Sequence, residues 1–263
     1  MKTVTSKDGT SIAFDQSGTG PALILVHGAF MHRAMDPQAA QLVDLLSPRF
    51  TVFHYDRRGR GESGDIQPYA VQREVEDIEA LIDEAGGSAF VYGISSGAAL
   101  AMEAAIELPD KIKKLAMYEA PYKGDEEARQ DWKVFRRQLN DLLTTDRRGD
   151  AAGLFLTLVG MPADQVDEMR REPWFGAFEA VAPTLAYDAA IFGEDRSVPM
   201  EHAARVTVPT LVMNGSASEA FMLDTAIALA NAMPNAQHRT LEGQTHAPEP
   251  AVLAPVLVEF FST

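Results

Sequence analysis

Short runs that are apolar at nearly every position alternate with longer stretches whose apolar residues recur every three or four positions. Residues 22–27 (Ala22-Leu23-Ile24-Leu25-Val26-His27) form the first apolar run, as expected of a strand buried on both faces. Residues 50–55, 89–93, 114–119, 209–214 and 237–241 repeat the pattern. Val71, Val75, Ile78, Leu81 and Ala85 fall at helical spacing before the stop signal Gly86-Gly87. Residues 96–108 are rich in alanine and end at Pro109, which predicts a helix packed tightly on the sheet. Asp224 is the expected cap of a helix ending before Pro234, and 249–261 is the expected last helix. The start differs: 1–5 and 11–15 flank Asp8-Gly9, a hairpin signal.

Strands alternating with helices predict an α/β fold, a mostly parallel central sheet with helices on both faces. The alternation fails at 122–205, where helical patterns are broken by Gly160, Pro162, Pro173 and Pro183 and no strand is legible. The expected organisation is a core of residues 1–121 and 206–263 with a helical lid, 122–205, inserted between two strands. Trp132, Phe135, Trp174, Phe175 and Phe178 are its candidate pocket walls, and most of them read first as lid core.

Charge and composition narrow the function classes. The formal net charge of −15 repels phosphate backbones, so neither nucleic-acid binding nor a basic membrane-surface face is expected. The absence of cysteine excludes disulfides, thiolate metal ligands and thiol nucleophiles. The first eight residues hold no apolar run, so no secretory leader is expected, and no stretch reaches the length of a membrane span. These features fit a cytoplasmic protein acting on a small molecule. They leave the oligomeric state open.

The strand at 89–93 runs into Gly93-Ile94-Ser95-Ser96-Gly97, which then opens a helix. A Gly-x-Ser-x-Gly string in a strand-to-helix turn is the setting of a nucleophile elbow. The turn is too crowded for Cβ atoms at Gly93 and Gly97, and it lifts the Ser95 hydroxyl above the sheet. It also leaves the Ser96 N–H at a helix start, where partial positive charge collects. After the earlier strand, His27-Gly28-Ala29-Phe30 supplies a loop whose Ala29 N–H pairs with that of Ser96 as an expected oxyanion hole. Phe30 is a second candidate donor and a candidate substrate-binding side chain, or else packing for the lid. A serine needs a base, and six histidines are available. His246 lies in a loop between the last strand and the last helix, from which it can reach back over the strand ends.

Together, His27-Gly28, the run Tyr55-Asp56-Arg57-Arg58-Gly59-Arg60-Gly61-Glu62-Ser63, the elbow and the late His246 resemble the α/β-hydrolase superfamily. The resemblance implies acyl transfer through an acyl-enzyme, with Ser95 attacking, His246 shuttling the proton and an acid orienting His246. It implies no cofactor, and a structural loop around Asp56 and the arginines. The superfamily's usual acid is missing: in Asn214-Gly215-Ser216-Ala217-Ser218-Glu219, Ser218 stands where an aspartate is expected. Glu119 sits at the preceding strand end, 24 positions after Ser95, a spacing similar to that of the group of haloalkane dehalogenases that take their acid there. Glu219 and an absent acid are the alternatives. The expected reaction is hydrolysis of a carboxylic ester or related acyl compound. A non-hydrolytic ligand-binding protein and other reactions of the superfamily (perhydrolysis, carbon–carbon cleavage, a lyase reaction) remain open. A dehalogenase or epoxide hydrolase is unexpected, because those need an aspartate nucleophile where Ser95 stands.

Overall fold

Consecutive residues of the central strands point to opposite faces of the sheet, and both faces are buried. Leu23 and Leu25 belong to one core layer, and Ile24 and Val26 to the other. Ala116 and Tyr118 against Leu115 and Met117, and Leu211 and Met213 against Val212, repeat the split. A strand covered on both sides needs apolar residues at every position, which is why these runs lack polar alternation. Burying each such side chain contributes roughly 1.5–3 kcal/mol.

The computed structural model describes the whole chain, Met1–Thr263. Eight strands, β1 (Lys2–Thr5), β2 (Ser11–Ser17), β3 (Ala22–Val26), β4 (Thr51–Tyr55), β5 (Ala89–Ile94), β6 (Ile112–Tyr118), β7 (Thr210–Gly215) and β8 (Ala236–Leu241), form one sheet. Their order is β1-β2-β4-β3-β5-β6-β7-β8. Strand β2 runs antiparallel to both its neighbours, β1 and β4, and every other neighbouring pair is parallel.

Helices α1 (Pro37–Leu46), α2 (Val71–Glu84) and α3 (Ser96–Glu107) alternate with these strands. Between β6 and β7 the chain forms only helices: α4 (Glu126–Thr144), α5 (Arg148–Leu158), α6 (Ala163–Met169), α7 (Gly176–Val181), α8 (Leu185–Ile191) and α9 (Met200–Ala203), with two 3₁₀ turns. Helices α10 (Ala220–Ala232) and α11 (Pro250–Ser262) complete the fold. On one face α1 and α11 pack together through Leu42, Leu46, Leu253 and Leu257. On the other, α2, α3 and the helical insertion share a core with Ile78, Leu81 and the buried alanines of α3. No helix is long and apolar enough to cross a membrane.

Asp224 does not cap α10. The helix starts four residues earlier, after Glu219, whose side chain makes no capping bond. Met222, Thr225, Ala226 and Leu229 form its buried stripe, and docking that stripe fixes where the helix begins. Tertiary packing therefore overrides the local capping signal.

Candidate active site

The parallel strands β5, β6 and β7 end side by side, and their C-terminal ends carry the candidate residues. Ser95 follows β5 with φ 57° and ψ −128°, a strained conformation for a residue with a side chain. Its N–H donates to Tyr118 O at 2.9 Å, which ties the elbow to the end of β6. A Cβ on Gly93 would collide with the Gly97 backbone, and one on Gly97 with the Val26 and His27 carbonyls. Both glycines are thus required by close approach of main chain to main chain. A Cβ on Gly28 would lie 2.9 Å from Ser95 Cβ.

Glu119 follows β6, also at positive φ (47°), and its N–H donates to Met213 O at 3.0 Å. Its carboxylate is buried, with only 2% of the residue exposed. Oε1 accepts from the Gly215 N–H at 2.7 Å, and Oε2 lies 2.7 Å from His246 Nδ1. Burial alone pushes the carboxyl pKa up. Hydrogen bonds from His246 and the Gly215 N–H, with the Ser218 hydroxyl nearby, outweigh burial and hold it below the usual glutamate range. An ionised carboxylate only accepts, so Nδ1 carries the proton and Nε2 is the free nitrogen. Ser218 Oγ itself is buried and forms no hydrogen bond of normal geometry. Glu219 is exposed and makes no contact with His246.

The His246 loop is pinned from both sides. Tyr118 Oη donates to Thr245 O at 2.6 Å, the Ala217 N–H to Gln244 O at 2.9 Å and the Gly243 N–H to Ser216 Oγ at 2.7 Å. Ser95, Ser96, Ala29 and His246 line one cavity of about 200 Å³. His246 and Ser95 Oγ are not hydrogen-bonded to each other. None of the other five histidines lines this cavity. His27 Nε2 meets His54 Nε2 at 2.6 Å, and His27 Nδ1 lies 3.3 Å from Asp36. Burial, then the neighbouring His27, lowers the His54 pKa to about 3. His202 and His238 are engaged by Glu103 and Asn214.

Ala29 lines the cavity, and its N–H makes no hydrogen bond within the protein. Ser96 opens α3, where a helix N–H has no carbonyl partner in its own helix. Phe30 does not line the cavity. It is buried at φ 63° with edge-to-face contacts to Phe155 and Phe178, each at 5.0 Å between ring centres. Its side chain therefore fastens the helical insertion to the sheet. Trp132 and Phe135 do line the cavity, and Trp174, Phe175 and Phe178 do not.

A buried ionic cluster braces this arrangement from behind. Arg57 pairs with Glu74 through two bonds of 2.7 Å and donates to Asp188 at 2.8 Å and to His27 O at 3.2 Å. Arg60 donates to Gly28 O at 2.6 Å and to Asp188 at 2.7 Å. Ser96 Oγ donates to Asp188 at 2.7 Å. One carboxylate of α8 thus joins the insertion to the loop carrying Ala29 and to Ser96, the residue after Ser95. Burial raises the Asp188 pKa, but Arg60 and Arg57 outweigh it and keep the group ionised.

Residues 23–256 match the profile of the alpha/beta hydrolase family. The chain belongs to the alpha/beta hydrolase family. An alpha/beta hydrolase from Sphaerobacter thermophilus is 49% identical, with 99% of this chain and 100% of that chain covered and a TM-score of 0.87. A pimeloyl-(acyl-carrier protein) methyl ester esterase from Photobacterium profundum is 30% identical over 60% of this chain. The match spans only 61% of that relative's length. An esterase of the same name from Vibrio vulnificus is 24% identical over 95% of this chain and 98% of its own.

For an alpha/beta hydrolase, several cavity residues here were invisible to sequence reasoning. Asp188, Phe192, Arg196, Phe221 and Met222 belong to no motif. Only the folding of the insertion and of α10 over the strand ends brings them to Ser95.

Proposed function

We propose that this alpha/beta hydrolase is a serine hydrolase of carboxylic esters or related acyl compounds, with residues 122–205 acting as its lid. The observation that carries the reading is the 2.7 Å contact from Glu119 Oε2 to His246 Nδ1, with His246 and Ser95 facing the same cavity. It supports Glu119 as the acid and leaves Ser218 without that role. The esterases among the relatives support the ester class.

In this reading the reaction runs in two halves. His246 Nε2 takes the Ser95 proton as Oγ bonds to the acyl carbon, and the carbonyl π pair moves to oxygen. The Ala29 and Ser96 N–H groups donate to that oxyanion. Collapse breaks the bond to the leaving alcohol, which departs with the proton held on His246. Water then bonds to the acyl carbon as its proton passes to His246, and collapse breaks the bond to Ser95 Oγ, which takes that proton back and releases the carboxylic acid. Glu119 stays ionised throughout and stabilises the imidazolium. A cytoplasmic setting fits this use of a small soluble substrate.

A fluorophosphonate probe tests the reading. Wild type labels at Ser95, whereas Ser95→Ala does not. A folded wild-type protein that fails to label at Ser95 would sink the hydrolase assignment in favour of a ligand-binding protein.

A further inference from the structure

Lys123 and Arg196 stand where the helical insertion leaves and rejoins the sheet, and the Lys123 N–H donates to Arg196 O at 2.9 Å. Both side chains line the cavity of Ser95 and His246. Arg196 is held firmly. Its Nε donates to Pro121 O, and its guanidinium lies over the Trp132 ring, 5.3 Å from the centroid. Those contacts use Nε and one face of the group. Neither Nη donates to any protein acceptor, and Arg196 has no ion-pair partner. Lys123 Nζ lies 5.3 Å from the Phe221 ring centre and is likewise unpaired.

Of the two carboxylates that line the cavity, Asp188 is matched by Arg57 and Arg60. The other, Glu219, is exposed, forms no ion pair with either cation and attracts Arg196 only at a distance. Glu119, behind them, lies against His246. Burial outweighs that attraction and lowers the Arg196 pKa to about 10, so the group is charged at neutral pH yet poorly solvated. A cation withdrawn from water without a partner is costly, and here the shortage faces a substrate cavity in a chain of net charge −15. The two free Nη groups form a planar fork that matches a carboxylate.

We propose that Arg196, supported by Lys123, binds a carboxylate on the substrate, so that the preferred substrates are small esters carrying a free carboxylate, such as half-esters of dicarboxylic acids. The apolar walls of Trp132, Phe192, Phe221 and Met222 suit a hydrocarbon spacer between that carboxylate and the ester. A cavity of about 200 Å³ suits a short spacer. This inference rests on the hydrolase reading for its ester, and on Arg196 for its charge.

Binding to the Ser95→Ala protein separates the two. The probes are monomethyl glutarate and its neutral isostere methyl glutaramate, titrated calorimetrically. A charge-assisted pair predicts a preference of about ten- to a hundredfold for the anion, which falls to near unity when Arg196→Gln is added. Glu219→Gln, at an exposed position that leaves the fold intact, raises affinity for the monoester and not for the amide. Equal binding of the two probes, no binding of the monoester, a preference that survives Arg196→Gln, or a Glu219→Gln variant without effect overturns the proposal. A wild-type protein that shows the preference but releases no methanol overturns the hydrolase reading alone.

Discussion

Glu119 and His246 lie 127 positions apart in the chain, yet Glu119 Oε2 accepts from His246 Nδ1 at 2.7 Å. The carboxylate reaches the histidine from the end of β6, not from the loop after β7, because Tyr118 holds the histidine loop by its Thr245 carbonyl. The adjacent residue of the same strand thus sets the distance. Removing the charge while keeping the shape leaves the wrong imidazole tautomer available. Glu119→Gln is expected to lower kcat for a p-nitrophenyl acyl ester by up to about 10⁴-fold, the cost of the equivalent change in a chymotrypsin-like triad. Circular dichroism of the variant separates a catalytic loss from unfolding.

Ser218 presents a buried hydroxyl to the same carboxylate without a hydrogen bond of normal geometry. Ser218→Asp alone sets a second carboxylate beside Glu119, and like charges at close range raise one of the two pKa values. Its activity is expected to fall, most steeply at low pH. In the Glu119→Gln background the same substitution supplies the missing charge from the β7 loop. The double variant is expected to recover at least about tenfold in kcat over Glu119→Gln, or about 1.4 kcal/mol of transition-state stabilisation. No recovery would show that the loop cannot deliver an acid to Nδ1.

Asp188 is the only carboxylate shared by Arg57 and Arg60. Asp188→Asn leaves two buried arginines facing Glu74 alone, a loss of about 3–5 kcal/mol when a buried charge loses its partner. Urea unfolding at neutral pH measures it. The Asp188 pKa is held below its ordinary value, so this stability is fully present above the unfolded value of about 3.9. It is lost as pH falls through the lower native value. The gap between wild type and Asp188→Asn therefore narrows in acid, whereas a pH-independent gap would place the cost in packing.

The parts of this architecture legible in the chain are those written in local pattern. All-apolar runs marked the parallel strands because both sheet faces are covered, and the elbow at Ser95 was legible because main-chain crowding demands glycine at 93 and 97. The His246 loop followed from chain order. Arg196 and Asp188 were illegible for a physical reason: each lies in an irregular helical segment whose partners are 75 and 128 or more positions away, across from Pro121 and from Arg57 and Arg60. No periodicity encodes such contacts. Phe30 shows the converse. Its place in the loop after β3 left a substrate contact and lid packing both open; its ring packs edge-to-face on Phe155, a wall of the cavity, and on Phe178, contacts that only the folded insertion supplies.

Gly28 offers a test of how tightly the elbow is held. A methyl group there would lie 2.9 Å from Ser95 Cβ, 3.3 Å from Ile94 O and 3.5 Å from Ser95 Oγ. Contacts of that length force something to shift. Gly28 cannot retreat easily, since Arg60 grips its carbonyl at 2.6 Å and is itself buried against Asp188 and Thr184. The elbow must give instead, and Ser95 already sits at a strained φ with little room to adapt. A shift of about 1 Å in a reacting group costs on the order of 10²-fold. Gly28→Ala is therefore expected to lower kcat by about that factor, with a smaller change in KM, because the substituted atom faces Ser95 and not the apolar walls. Slower fluorophosphonate labelling of Ser95 in the variant would accompany it. Wild-type labelling and turnover in a folded Gly28→Ala protein would show that the loop and the elbow move apart freely, and that the Ala29 and Ser96 N–H groups are not fixed by the arginine cluster behind them.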